Sequence, residues 1–237
     1  MGQELTCLTV DKYSNGSISS QKDFVAVEHR LTIYLDDQLV SEILCSPKKL
    51  KELAIGHLIS LEVIGLRSQP KTTLRSNQEG TSAYIQLEPA PRKVEPIIVP
   101  DAFDPVPPSL LLSNMSSLVE TSNIFAKSGA AHCSAFFRDR TPILIHDDIA
   151  RHNTIDRIIG DAVVRNISLD NGMLCTTGRL SHEIIRRCEI ARIPLVISRG
   201  APTNAAVKLA HSGDITIVGF ARNERFNIYT HSQRIAI

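Results

Sequence analysis

Seven prolines fall between Glu88 and Pro108, and nothing else in the chain limits its fold so strongly. Proline fixes φ and lacks an N–H donor, so no long helix or inner strand can run through such a stretch. The 237 residues are expected to divide into a small β-containing front domain, 1–88, a loop or tether, 89–108, and a larger α/β domain, 109–237.

In the front part, residues 24–45 alternate apolar and polar around Asp36-Asp37. Val25, Val27, Leu31, Ile33, Leu35, Leu39 and Ile43 are the inward candidates of a hairpin or meander. Ser46-Pro47 supplies a helix N-cap and first-turn proline, and Leu50, Leu53, Ala54, Leu58 and Ile59 predict a helix of roughly four turns ending near Gly65. A short strand is expected at Ala83–Leu87.

After the prolines the pattern changes. A helix over 110–119 precedes a hairpin of His132–Phe137 and Ile143–His146. Helices then alternate with strands: helices near 151–165, 181–191 and 203–211, strands at 173–177, 195–198, 215–220 and 226–230. Strand–helix alternation implies a layered domain on a mixed, largely parallel sheet. A chain without Trp and with 5% aromatics must fill its core with aliphatic residues, as such folds do.

In an open α/β sheet, ligands bind beyond the carboxyl ends of the strands, where helix N-termini present free N–H groups. Four successive junctions there carry arginine: Arg151 in 147–153, Arg179 in 176–181, Arg199 in 198–204, and Arg222 with Arg225 in 221–225. The net charge of +1 argues against a nucleic-acid binder, yet residues 138–237 hold 14 basic and 10 acidic side chains, and 13 of those 14 are Arg. The forked guanidinium suits phosphate or carboxylate. One reading is a shared anion site with Ser181 and Thr203 capping the adjoining helices; the other is ion pairs with Asp147, Asp148 or Glu224.

His132, His146, His152 and His182 lie near the same rim, but His132-Cys133-Ser134 has no Glu at its third place and no Cys-x-x-Cys occurs, so a zinc deaminase centre is not expected. No metal ligands are assigned. Cys133 beside His132 is a conceivable nucleophile, with a small buried strand residue as its plainer reading; no catalytic residue is assigned. Five cysteines with no close pair and no signal peptide predict a reducing cytoplasm, and no apolar run is long enough to span a membrane.

Several strings resemble the FdhD formate dehydrogenase accessory (sulfur-carrier) family: His146-Asp147-Asp148-Ile149-Ala150-Arg151-His152-Asn153 through Asp156-Arg157 to Gly160, Ser128-Gly129-Ala130-Ala131-His132, and Gly178-Arg179-Leu180-Ser181-x-Glu183. Ala201-Pro202-Thr203, Val218-Gly219-Phe220 and 226–230 follow in family order. The resemblance implies a cytidine-deaminase-like α/β domain, a homodimer and no zinc. It implies an accessory protein that binds the molybdenum bis-guanine-dinucleotide cofactor as cargo, with GDP as surrogate ligand, and passes sulfur to it from a cysteine desulfurase on behalf of formate dehydrogenase. The cofactor-contacting stretch carries over onto Phe220, Ala221, Arg222, Asn223, Glu224 and Arg225. The family's Cys-x-x-Cys has no counterpart, since residues 87–125 contain no cysteine. A persulfide relay needs a thiolate that reaches donor and acceptor in turn. A cofactor chaperone without sulfur transfer therefore stands beside the sulfur carrier, with a nucleotide-acting enzyme on the same fold as a third reading.

Overall fold

The computed structural model describes residues 3–88 and 105–236. In chain order the elements are β1 (Leu5–Ser14), β2 (Ser17–Ala26), β3 (His29–Leu35), β4 (Gln38–Cys45), α1 (Leu50–Ser60), β5 (Gln69–Ser76), β6 (Thr81–Glu88), α2 (Pro108–Thr121), α3 (Asn123–Ser128), β7 (His132–Arg138), β8 (Thr141–Asp148), α4 (Arg151–Val164), β9 (Met173–Thr176), α5 (His182–Ile190), β10 (Leu195–Ser198), α6 (Asn204–Ser212), β11 (Thr216–Arg222), β12 (Arg225–Ile228) and a short 3-10 turn at Ser232–Arg234. Most of the expected tether, 89–104, lies outside the described residues. Its end does not: Val106 bridges Ile235, exchanging backbone hydrogen bonds with Arg234 and Ala236.

The larger sheet has the order β12-β11-β10-β9-β7-β8. It is mixed rather than largely parallel. Only β9–β10 and β10–β11 pair in parallel, while β7–β8, β7–β9 and β11–β12 are antiparallel. The hairpin β7–β8 inserts β7 beside β9, so β8, β9, β10 and β11 all run one way with β7 against them. The carboxyl ends of those four strands therefore share one edge with the start of β7.

Period-2 alternation sorts the sheet's side chains to two faces. Phe136, Leu174, Val196 and Ile217 join the core under α4, α5 and α6. Cys133, Ala135, Phe137, Met173, Cys175, Leu195, Ile197 and Val218 join a second core with Leu111, Met115 and Leu118 of α2.

A four-stranded sheet, β4-β3-β6-β5, is built from the front of the chain. Asp36 and Asp37 both adopt left-handed φ (48° and 63°), the conformation a tight two-residue hairpin turn demands. Leu39 was expected inside but is 59% exposed. The register slips there, Ile33 opposing Ser41 and Tyr34 opposing Leu39, and the extra residue turns Leu39 outward. β1 and β2 form a separate two-stranded hairpin, mostly exposed on both faces, which the alternation did not predict.

Helix α1 departs from expectation at both ends. It begins at Leu50, with left-handed Lys49 at the cap position and no side-chain cap, so Ser46-Pro47 precede the helix rather than start it. It ends at Ser60, because Glu62 turns to φ 58° before Gly65 is reached. Leu53 to Ile59 are all buried in α1, as are Asn153 to Ala162 in α4. Helices buried all round are interior ones, and α1 packs directly on α4. A Cβ on Gly56 would lie 1.7 Å from the Asp156 carbonyl oxygen, and one on Gly160 would lie 1.8 Å from that of Glu52. Only glycine permits such backbone contact, and one apolar core consequently runs from Leu31 and Ile33 through both helices to the larger sheet.

Candidate functional site

The rim is stitched strand to strand by its own backbone. Thr177 N–H donates to Cys133 O (2.9 Å), Arg199 N–H to Thr176 O (3.3 Å), Leu180 N–H to Ala201 O (3.1 Å) and Phe220 N–H to Gly200 O (3.0 Å). Side chains fix the corners further: Gly178 N–H donates to Thr176 Oγ1, Gly200 N–H to Ser198 Oγ, and Ser198 Oγ–H to the Gly178 carbonyl (2.6 Å). Glycines let the corners touch. A Cβ on Gly178 would sit 2.9 Å from Arg151 Cβ, and one on Gly200 would sit 3.1 Å from Arg179 Cα.

The arginines predicted from the four junctions thus occupy successive corners of one edge. Arg199 and Arg222 line a common cavity of about 430 Å³, walled by Ala221, Asn223, Glu224 and, on α2, by Ser113, Ser116 and Glu120. Arg151 and Arg179 are not among its walls; they flank His132 instead. Burial, then Arg151, then Arg179, lower the pKa of His132, whose Nδ1 lies 3.4 Å from Thr177 Oγ1.

The ion-pair reading of these arginines fails. Among the described residues Arg151, Arg179, Arg199, Arg222 and Arg225 make no salt bridge, and Arg151 Nε is buried without a partner. Arg222 and Arg225 directly oppose each other across the turn Asn223-Glu224. Like charges so placed repel. Phe220, Asn223 and Glu224 all have positive φ (54°, 49° and 61°), a conformation costly for side-chain-bearing residues and concentrated at ligand sites. Thr203 caps α6 as expected, accepting from Ala206 N–H (3.2 Å). Ser181 does not cap α5, and its Oγ is buried without a partner.

The string around Arg151-His152-Asn153 divides its residues between two tasks. Arg151 faces the rim, but its neighbours hold α1 to α4. Asp148 accepts from Arg157 Nε (3.0 Å), Asn153 Nδ2 (2.9 Å), Ala150 N–H (3.0 Å) and Ser46 N–H (3.2 Å). Asn153 Nδ2 also donates to the Leu44 carbonyl, and Arg157 Nη2 to that of Ser46 (both 2.8 Å). Asp156, fully buried, joins His57, Ser60 and Arg187. Burial pushes its carboxyl up, but the His57 hydrogen bond and the Arg187 charge outweigh that and hold it below the usual range. His146 pairs with Asp161 (2.9 Å), so it belongs to this seam and not to the rim. His152 lies 3.1 Å from Glu183.

Residues 67–236 match the model of the FdhD/NarQ family. The chain belongs to the FdhD/NarQ family. It is 28% identical over 260 residues to the sulfur carrier protein FdhD of Bacillus licheniformis, covering 99% of both chains. To the sulfur carrier protein FdhD of Staphylococcus aureus it is 29% identical over 249 residues, covering 94% of each. A protein from Desulfotalea psychrophila, assigned as a formate dehydrogenase accessory protein, has the same fold: TM-score 0.84 at 21% identity, over 99% of this chain and 100% of that one.

For an FdhD/NarQ member the state of the thiols matters. Cys45, Cys133, Cys175 and Cys188 are buried, and Cys7 on β1 is exposed. Burial pushes Cys45 and Cys188 up to about 12, and raises Cys175 and Cys133 as well, the latter with help from Asp147. Thiols held protonated in a core are poor nucleophiles, so the plainer reading of Cys133 is the one its position supports. Thr177 and the seam partners of Asp148 are the contributors that sequence reasoning missed; long-range pairings of Ser46 and Leu44 with residues about a hundred positions later leave no local pattern.

Proposed function

We propose that this protein is an accessory factor for formate dehydrogenase that holds the molybdenum bis-guanine-dinucleotide cofactor as cargo, gripping its phosphates with the rim arginines. One observation carries the reading: among the described residues five guanidiniums, at three strand-to-helix corners and the β11–β12 turn of one sheet edge, have no internal partner, whereas Arg157, Arg186, Arg187 and Arg234 are all paired. Unpaired, clustered guanidiniums repel one another until an anion joins them, and pyrophosphate offers the forked acceptors they fit. Arg199 and Arg222 supply that grip from the cavity they share, Arg225 adds charge across the turn, and Phe220, Ala221, Asn223 and Glu224 shape the wall. Glu120 and Glu224 provide carboxylates able to accept from the N1–H and N2–H groups of guanine. The cytidine-deaminase-like layering implied by the family strings fits a sheet with α4, α5 and α6 on one face and α2 on the other.

A second reading, a cofactor chaperone without sulfur transfer, is favoured by the four buried cysteines. Two experiments separate these possibilities. Expression in cells lacking their own accessory factor is expected to restore formate dehydrogenase activity, and the Arg199→Ala, Arg222→Ala double variant is expected not to; failure of the unaltered protein removes both readings. Incubation with a cysteine desulfurase and ³⁵S-cysteine then decides between them. Label released by reductant identifies a carrier, and its absence identifies a chaperone.

A further inference from the structure

A second cavity, of about 220 Å³, opens where the edge strand β8 meets the start of α1 and the α2–α3 junction. It is separate from the rim cavity: β8 ends the sheet, four strand positions from β11, roughly 19 Å at the usual strand spacing.

Three features converge on it. The first is the N-terminus of α1, an eleven-residue helix whose cap position, Lys49, is left-handed and lends no side-chain bond. Lys48 and Lys49, just ahead of the helix, line the cavity, and among the described residues the N–H groups of Leu50, Lys51 and Glu52 next to them have no acceptor. A helix start in this state favours an anion.

The second is Arg157. Its side chain is 1% exposed, it lines the cavity, and its Nε and Nη2 are taken by Asp148 and Ser46. Its Nη1 has no partner. A buried charged nitrogen left without an acceptor is costly, and an oxygen delivered into the cavity removes that cost.

The third is the balance of the remaining wall. Lys48 and Lys49 bring two ammonium groups, Lys48 paired with Glu4 (3.2 Å) and Lys49 with Glu52 (3.1 Å). Asp147 also lines the cavity, but its carboxylate already accepts from Ser122 Oγ–H (3.1 Å) and Ile124 N–H (3.4 Å). His146 is held by Asp161. Thr121 lines the far side, its hydroxyl already donating to the Ser117 carbonyl (2.7 Å).

We propose that this cavity, beside the start of α1, binds a phosphate-sized oxyanion at Nη1 of Arg157, with Lys48 and Lys49 on its wall. Its location ties α1, α4 and β8 together at the point where the front of the chain meets the larger sheet, so the anion acts as a clasp on that junction. The same chemistry could come from free phosphate or from a phosphate group of a nucleotide.

Titration with inorganic phosphate, against sodium chloride at equal ionic strength, tests this by calorimetry and by the thermal midpoint. The wild type is expected to show saturable phosphate binding and a raised midpoint that chloride does not reproduce. Arg157→Lys, which keeps the charge facing Asp148, should bind phosphate about tenfold more weakly, the scale of one charge-assisted hydrogen bond. Lys49→Gln, at an exposed position, should weaken binding without altering the fold, and Glu4→Gln, by freeing Lys48, should tighten it. The rim variant Arg199→Ala, Arg222→Ala should retain phosphate binding. GDP binding that displaces phosphate only in the wild-type rim would assign the ion to the rim and overturn the proposal. So would absence of saturable binding, or an affinity unchanged in both Lys49→Gln and Glu4→Gln.

Discussion

Two groups of charges in this molecule are treated in opposite ways. At the α1–α4 seam, each buried carboxylate has a cationic or histidine partner: Asp148 has Arg157, Asp156 has His57 and Arg187, and Asp161 has His146. At the rim, Arg151, Arg179, Arg199, Arg222 and Arg225 share one edge and, among the described residues, none is paired with a carboxylate, although Glu120 and Glu224 wall the cavity of Arg199 and Arg222. The adjacent residues Arg151 and His152, and Asp156 and Arg157 five positions on, show that one helix supplies both. A charge that the protein satisfies itself holds the fold. A charge it leaves unsatisfied at a ligand-accessible edge is available to a guest.

That contrast predicts different outcomes for similar mutations. The largest effect belongs to the seam. Asp148→Asn should cost about 3–5 kcal/mol, because Arg157 is left as an unpaired buried charge, and Gly160→Ala should cost about 3 kcal/mol by prising α4 from the Glu52 carbonyl; urea unfolding measures both. A loss below about 1 kcal/mol for Asp148→Asn would mean that the seam is dispensable. Next come the rim residues. Arg199→Ala or Arg222→Ala should weaken GDP about tenfold or more, while stability changes by no more than about 0.5 kcal/mol. A rim variant that unfolds would erase the distinction between the two regions.

Acid separates the regions too. In the unfolded chain aspartates take up protons near pH 4, whereas the His57 and Arg187 partners outweigh burial at Asp156, and the His146 hydrogen bond likewise outweighs burial at Asp161, keeping both carboxyls charged to lower pH. The unfolded state therefore binds more protons, and stability should fall as pH drops from about 4 through the folded-state values. Asp161→Asn should flatten that decline in a pH series of unfolding curves. His132 moves the balance at higher pH. Burial and the charges of Arg151 and Arg179 favour its neutral ring, and burial does the same at His29 and His152, so stability should begin to fall below about pH 6.5, a loss His132→Gln should reduce. The smallest expected effect concerns thiols. Under native conditions a thiol reagent should modify Cys7 rapidly and the four buried cysteines only after unfolding. Fast native labelling of Cys133 would return it to consideration as a nucleophile.

The larger sheet and its helices were legible because their strands are short apolar runs separated by amphipathic helices, a pattern that burial on both faces imposes. The rim arginines were legible for a related reason: strand-to-helix corners are where ligands meet such sheets. The hairpin β1–β2 was not legible, since a ribbon exposed on both faces has no reason to alternate apolar with polar residues. Leu39 misled because one extra residue in β4 inverts the facing of everything beyond it. Ser46 looked like a helix cap, yet its backbone is spent on Asp148 and Arg157. Arg157 itself is indistinguishable in sequence from the rim arginines; only its burial beside Asp148 shows that it belongs to the seam.

The central claim is that the unpaired rim arginines grip one polyphosphate. Calorimetric titration of GDP into the wild type and into the Arg199→Ala, Arg222→Ala double variant tests it most directly, at low and at high salt. The account predicts saturable binding to the wild type that weakens as salt screens the guanidiniums and is lost in a double variant that remains folded. Equal affinity in the two proteins, or no GDP binding by the wild type, would contradict it.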